Sequence, residues 1–464
     1  MRPCPPRSFP CLAGSRPAVL AAALLSLASC GSDATTSVEA PADPDPPPVA
    51  AEATAWIERN AISFEGSHLS LPNSDIGFLR DIVGDARVVS LGENTHGTRD
   101  FFEMKARVLR FLVEEMGFDA FAIEATWPEA NRLDAYVRVG EGDAAELLSG
   151  LYFWTWNTES VLEMIEWMRW HNEAGGDVGF YGFDMQYPGM ALHNVAEYFR
   201  VVDPDRADAV AARLDCLVRV ANDPSGRFPE VRYADRTADY RVACGAALNE
   251  VRDSLVARQA DYEATGGANA FALALQSVRV AIQYHLMITG DQSRDQSMAE
   301  NTIWLHRQLG TESRIVLWAH NFHVSTQPGA QGWFLRRSYG DEMVILGFSH
   351  ESGTFTGVRQ RGSSYFGLDQ MALDAARPLS YEHHLSTATA PRFFLDLRDR
   401  EAGAAGTAWL SNPRLFRTIG CCYNPDSPSS YWNQQPVAEW YDVLIHYEIT
   451  RPTRVLPSRY PTSF

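Results

Sequence analysis

Short apolar runs recur along the chain with longer helical patterns between them, and this alternation constrains the fold more than any other feature of the sequence. The runs are Val88-Val89-Ser90-Leu91, Phe118 to Ile123, Val178 to Phe183, Ile315 to Ala319 and Met343 to Phe348. Short, largely apolar runs of this length suit strands buried in a parallel sheet covered by crossover helices. Phe101 to Met116 is predicted as a helix with Phe102, Val108, Leu109 and Leu112 on its apolar face, and Val161 to His171 as another. The expected fold class is α/β with a mostly parallel sheet. Between about Leu192 and Thr311 the strand signals stop, and an Ala, Arg, Leu and Val pattern predicts a helical insertion. Phe393 to Leu397 and Val443-Leu444-Ile445 are late strands expected to complete the same domain, with Gly420 and Asn424 to Ser430 marking loops.

The N-terminus differs from the rest. Arg2, Arg7 and Arg16 accompany an apolar run from Ala18 to Ala28, of signal-peptide length and too short to span a bilayer. It ends Leu27-Ala28-Ser29-Cys30, which resembles the lipobox of bacterial lipoproteins, where the cysteine is lipidated and becomes the new N-terminus. Residues 1–30 are therefore expected to be a lipoprotein signal peptide, an ordinary secretory signal being the alternative. Residues 31–52, rich in Ala, Ser, Thr and Pro, read as a tether, and 53–464 as the folded body, with its helical insertion at about 192–311. Such a body would be exported and held through Cys30 to a bacterial membrane, periplasmic or at the cell surface, touching the membrane by its lipid anchor only.

Export permits disulfides, so Cys216 and Cys244 form a candidate bridge between two helices. The adjacent Cys421 and Cys422 could bridge only under strain and read as two buried thiols. No paired CxxC spacing suggests a structural zinc site. A formal net charge of -18 argues against binding along a phosphate backbone, so nucleic acid is not an expected partner.

In open parallel sheets, ligands bind beyond the carboxyl ends of the strands. Those ends deliver Glu93 and His96, then Glu124, then Asp184, then His320 and His323: three carboxylates and three imidazoles on one edge. Gly92-Glu93-Asn94-Thr95-His96-Gly97 places a carboxylate three residues before an imidazole in a glycine-flanked turn. A carboxylate on one ring nitrogen fixes the tautomer and raises the basicity of the other, a general-base arrangement. The alternative is a turn with a capping glutamate. His320 and His323, three apart after a strand, could act as a second acid or base, as oxyanion donors, or as metal ligands beside Glu124 and Asp184; either could instead be a core histidine bonded to backbone. His285, His306, His383 and His384 fall on expected helices or loops and are read as surface residues. Tyr152, Phe153, Trp154 and Trp156 could line a pocket, with core or lid packing as the alternative. No Gly-x-Ser-x-Gly elbow, P-loop or dinucleotide fingerprint occurs, which leaves activated water as the expected nucleophile.

Leu91-Gly92-Glu93-Asn94-Thr95-His96-Gly97, followed by Glu103, Lys105, Leu109, Leu112 and Gly117-Phe118, resembles the opening block of the erythromycin esterase family. Later blocks are similar too: Ala122-Ile123-Glu124, Tyr136 with Gly140 and Gly142-Asp143, Gly182-Phe183-Asp184, Arg294-Asp295 with Met298 and Asn301, Trp318 to His323, Phe394 to Leu397 and Tyr441 to Ile445. The resemblance covers about Ala51 to Leu456. It implies a three-layer α/β/α fold with a parallel sheet and a helical addition, and hydrolysis of a macrolide lactone by activated water, an activity that would serve antibiotic resistance. By motif match His96 would be the base and Glu93 its partner, with Glu124, Arg294 and His320 as supporting groups. His323, Asp184 and Trp154 are candidate substrate contacts. The expected partner is a small-molecule ester or lactone and no cofactor is called for. The rivals are a divalent-metal hydrolase with Glu124, Asp184, His320 and His323 as ligands, and a tethered binding protein without turnover. No oligomeric state is assigned.

Overall fold

A computed structural model of the chain describes residues 49–218, 232–310, 312–401 and 403–458. The expected signal peptide with Cys30, the tether as far as residue 48, and Thr311 lie outside the described residues.

The strands are β1 (Ile62–Ser63), β2 (Val88–Leu91), β3 (Ala120–Thr126), β4 (Gly179–Asp184), β5 (Ile315–Trp318), β6 (Met343–Arg361), β7 (Ser364–Leu373), β8 (Arg392–Asp396), β9 (Arg414–Arg417), β10 (Cys422–Tyr423), β11 (Trp432–Gln435) and β12 (Val443–Thr450). The main sheet runs β1-β8-β12-β6-β2-β5-β3-β4, with β7 and β10 pairing on β6. From β12 to β4 every neighbour is parallel; β8 and β1 are antiparallel at one edge. β9 and β11 form a separate antiparallel pair.

Alternation along each central strand feeds two cores, because successive side chains point to opposite faces. Val89, Leu91, Phe121, Ile123, Val316 and Trp318 face one side, where the helices Arg99–Met116 and Glu159–Glu173 add Phe101, Met104, Val108, Met164 and Ile165. Val88, Ala120, Ala122, Ile315 and Leu317 face the other, against Met298 and Leu305 of helix Arg294–Leu309 and Leu335 of helix Gln331–Tyr339. The result is the three-layer α/β/α arrangement. Each fully buried aliphatic or aromatic side chain of this kind contributes about 1.5–3 kcal/mol.

β2 lies in the middle of the sheet with β5 on one side and β6 on the other. β2 leads on to β3 beyond β5, whereas the strands that follow β6 lie on the other side, the kind of strand order at whose carboxyl ends ligands bind.

Helices Gly189–Val202, Pro204–Val218, Ala238–Ala257, Gln259–Gly266 and Ala268–Thr289 make the expected helical insertion. They share a core of their own, including Leu192, Leu214, Leu248 and Val278. The Cys216–Cys244 disulfide joins two of these helices. Among the described residues Ala268–Thr289 is the one helix long and apolar enough to cross a membrane, and 61% of that stretch is buried as the centre of this unit. Helix Arg294–Leu309 falls inside the span expected for the insertion, yet it packs on the sheet through Met298, Ala299 and Leu305.

Three histidines expected at the surface are buried instead. His285 meets the Tyr233 hydroxyl at 2.6 Å, His306 bonds Tyr339 and the Ser313 carbonyl, and His384 bonds the Ser380 carbonyl while stacking on Trp409. An imidazole with a tyrosine or backbone partner enters a core at little cost, and helical position alone does not reveal such a partner. His383 stays partly exposed, in keeping with the expectation. Trp154 and Trp156 are core residues.

Candidate active site

After β2 the chain turns sharply through Gly92–Thr98 before helix Arg99–Met116 begins. The two glycines are there for close approach: a Cβ on Gly92 would strike the Asn321 side chain, and one on Gly97 the Thr356 carbonyl of β6. Packed this tightly, the turn buries Glu93 and leaves His96 partly exposed beyond the carboxyl end of β2.

Glu93 is fully buried and held by three donors. One oxygen lies 2.6 Å from His96 Nδ1; the other accepts from Lys105 Nζ and, at 2.9 Å, from Trp318 Nε1. Lys105 is itself fully buried, with its ammonium 4.0 Å from the centre of the Trp318 indole. Burial draws Lys105 down to about 8 against the pull of the Glu93 charge. The His96 side chain is 13% exposed, and its Nε2 has no protein hydrogen bond among the described residues. Burial pulls this imidazole down, but the hydrogen bond and charge of Glu93, then the charge of Glu124, lift it above the ordinary histidine value. With Nδ1–H fixed on a carboxylate, the lone pair of Nε2 is left free to take a proton.

A second constellation lies beside it. Arg294, at the start of its helix, donates to Glu124 at 2.7 Å and to Asp184 at 2.6 Å and 3.2 Å. His323 Nδ1 lies 2.7 Å from Asp295, and its Nε2 sits 3.3 Å from Glu124 and 3.1 Å from Arg294 Nη1. Burial opposes charge on His323, yet Glu124 and Asp295 raise it to about 10, so it is an imidazolium at neutral pH. Burial likewise opposes charge on Glu124, but His323 and Arg294 hold it well below the usual carboxylate range.

The His320 ring stands between the two groups, 5.1 Å from the His96 ring and 6.4 Å from that of His323. Its Nδ1 accepts from the Phe322 N–H at 3.2 Å, and its Nε2 donates to the Ile419 carbonyl at 3.1 Å. Burial, with His96 and His323 nearby, takes it down to about 3. Of the roles open to His320, the geometry matches the backbone-bonded one: a neutral spacer with neither nitrogen left for a metal or a proton.

Two expected substrate contacts need correction. Asp184 is fully buried, and its oxygens are taken by Arg294, the Met185 N–H and Gln186, so it anchors the guanidinium instead of reaching a ligand. Trp154 is 3% exposed and packs inside. Trp156 comes closer, its ring 5.7 Å from that of His96 and its Nε1 2.9 Å from the Glu124 carbonyl. His323 is partly exposed but spends both nitrogens on the ion cluster. Among the described residues no group of three or more His, Cys, Asp or Glu side chains is disposed to hold a metal ion. Arg294 occupies the space between Glu124 and Asp184 that a cation would need.

Sequence reasoning gave no role to Lys105 or Asp295. A signal for Lys105 was present: it lies four residues after Phe101 and three before Val108, a lysine on the apolar stripe of an amphipathic helix. Asp295 has no such signal, since acids are common in a first helical turn.

The erythromycin esterase family model matches residues 113–450, which takes in β3 to β12. YbfO of Bacillus subtilis (strain 168), whose name places it among hydrolases, is 23% identical over 86% of this chain and 92% of its own length. An Escherichia coli protein named erythromycin esterase type II is 23% identical over 74% of this chain and 88% of its own. Among solved structures, a Bacillus cereus protein superposes with a TM-score of 0.75 at 24% identity, over 88% of this chain and 99% of that one. An erythromycin esterase variant in its open conformation gives 0.63 at 18% identity, over 82% and 95%. These likenesses are of fold, while the family match spans most of the sequence: the chain belongs to the erythromycin esterase family of hydrolases.

Proposed function

We propose that the protein hydrolyses a carboxylic ester or lactone with water activated by His96. The observation that supports this is the Glu93–His96 pair, Nδ1 to carboxylate at 2.6 Å, with Nε2 free of any protein hydrogen bond among the described residues. Nε2 takes a proton from water as the oxygen attacks the carbonyl carbon; the tetrahedral oxyanion collapses, the alkoxide leaves, and the proton on His96 goes to it. Glu93 stabilises the imidazolium formed in between. The negative charge that builds on the carbonyl oxygen is met by the His96 imidazolium formed as the water gives up its proton. A macrolide lactone is the first substrate to try, because a relative 23% identical is named for erythromycin.

The test is hydrolysis of a panel of macrolides and simple esters by the native chain and by His96→Ala, with and without chelator. Turnover that falls about 10²- to 10⁴-fold in the variant and survives the chelator is expected. Unchanged turnover in the variant would refute the role of His96; loss of turnover to the chelator would favour the metal hydrolase; ligand bound and recovered intact from every mixture would favour a binding protein.

We also propose export and anchoring through Cys30. Support comes from Arg2, Arg7 and Arg16, the Ala18–Ala28 run and Leu27-Ala28-Ser29-Cys30, and from the Cys216–Cys244 bridge, a bond suited to an oxidising compartment. Cys30→Ala is expected to move the protein out of the membrane fraction; membrane association that persists in this variant would refute the anchor.

A further inference from the structure

The segment that holds His320 continues into two cysteines that the hydrolytic mechanism does not use. The Ile419 N–H donates to the Asn94 carbonyl at 2.8 Å, inside the Glu93–His96 turn, and the Ile419 carbonyl accepts from His320. Two residues on, the Cys421 carbonyl accepts from Val358 N–H at 2.9 Å, and Cys422 opens β10. Against the expectation of two buried thiols, Cys421 is exposed and Cys422 half-buried, at the start of β10 where it pairs with β6. Its Sγ lies 2.8 Å from that of Cys422. The hydrogen bond from Cys422 lowers the Cys421 thiol below its ordinary value, and the charge of His96 adds to the effect, which favours the thiolate.

We propose that Cys421 and Cys422 are a reversible redox modification site that reacts with small-molecule disulfides and closes to a vicinal disulfide beside the active site. The Cys421 thiolate attacks one sulfur of the disulfide, forming a mixed disulfide and expelling one thiolate. The Cys422 thiolate then attacks Cys421 Sγ and expels the second. The pair gives up two electrons and two protons, and the small disulfide takes them up as two thiols. Adjacent Cα atoms stand ~3.8 Å apart, below the ~4.4–6.8 Å usual across a disulfide, so the ring is strained and readily reduced again. Closing it bends the segment whose backbone holds His320 and Asn94, which ties the shape of the hydrolytic site to the thiol-disulfide state around it.

The experiment treats the full chain, mildly reduced with Cys216–Cys244 as the internal control, with oxidised glutathione, and reads the digest by mass. The peptide carrying Cys421 and Cys422 is expected to lose two hydrogens, to carry no glutathione, and to regain the hydrogens with dithiothreitol. In Cys422→Ser the reaction is expected to stop with glutathione on Cys421. A glutathione adduct that persists on the native pair, or a peptide left unchanged, would overturn the proposal. Amide exchange at residues 93–97 is read in the same samples. It is expected to differ between the two states, and a difference confined to residues 420–423 would overturn the link to the active site.

Discussion

Whether His96 works as a base at a given pH is decided by the charges packed around it. The carboxylates of Glu93, Glu124, Asp184 and Asp295 face the cations Lys105, Arg294 and His323, which leaves a deficit of one positive charge that a proton on His96 fills. A raised imidazole keeps its proton to higher pH, so the base form accumulates only above the ordinary value of 6.5. The acid limb of kcat/KM is therefore expected above that value in the native enzyme. In Glu93→Gln it should move to lower pH while the plateau falls about 10²-fold or more, because the tautomer and the stabilised imidazolium are both lost. A limb that stays in place would show that another group sets it. His323 makes a separate prediction about stability. Its folded value, about 10, lies above the unfolded 6.5, so its contribution is complete below about pH 6.5 and disappears as pH rises through 10. The Tm gap between the native chain and His323→Gln should be widest near pH 6 and close towards pH 10. A gap that grows with pH would mean that His323 is neutral in the fold.

At the scale of elements, the site depends on how closely the turn after β2 lies against β6. The Gly97 carbonyl accepts from both Thr356 N–H, at 3.0 Å, and Thr453 N–H, at 2.9 Å, so this backbone has no room to retreat from a new methyl group. Gly97→Ala is expected to cost about 1–3 kcal/mol, the usual range for overpacking, and to lower activity by more than the loss of stability explains. Thermal melts beside turnover at a permissive temperature would check this; full activity in a stably folded variant would show that the turn relaxes without moving His96. The same element explains what was legible in the sequence. β2 to β5 and the start of β6 were readable because strands buried on both faces are largely apolar. The outer part of β6, as far as Arg361, was not, because it leaves the core and pairs with β7, where polar and apolar residues mix. Glu93 and His96 were readable because both partners lie in one turn. The role of His320 was not, because its Nε2 partner, Ile419, is 99 residues away, and neither Lys105 nor Asp295 announces its target locally.

Across the whole molecule, the helical insertion starts just after Asp184 and ends just before Arg294, and these two residues are bonded to each other across 110 positions of sequence. The ion pair closes the base of the insertion, while its own core and the small contact of Trp127, Met185, Ala191 and Val280 against the body hold it in place. None of Glu93, His96, Lys105, Glu124, Asp184, Arg294, Asp295, His320 and His323 belongs to its helices. The Cys216–Cys244 bridge spans a separation of 28 residues within it, and a loop of that size gives roughly 3–4 kcal/mol through the entropy of the unfolded chain. Replacing both cysteines with serine should therefore loosen helices Pro204–Val218 and Ala238–Ala257 without disturbing the sheet. Hydrogen exchange is expected to speed up in those helices, with β2, β3 and β5 still protected and the hydrolytic rate within a few-fold of native. Equal loss of protection in the sheet would mean that insertion and body unfold as one unit, and that the Asp184–Arg294 pair does not isolate the site from what happens above it.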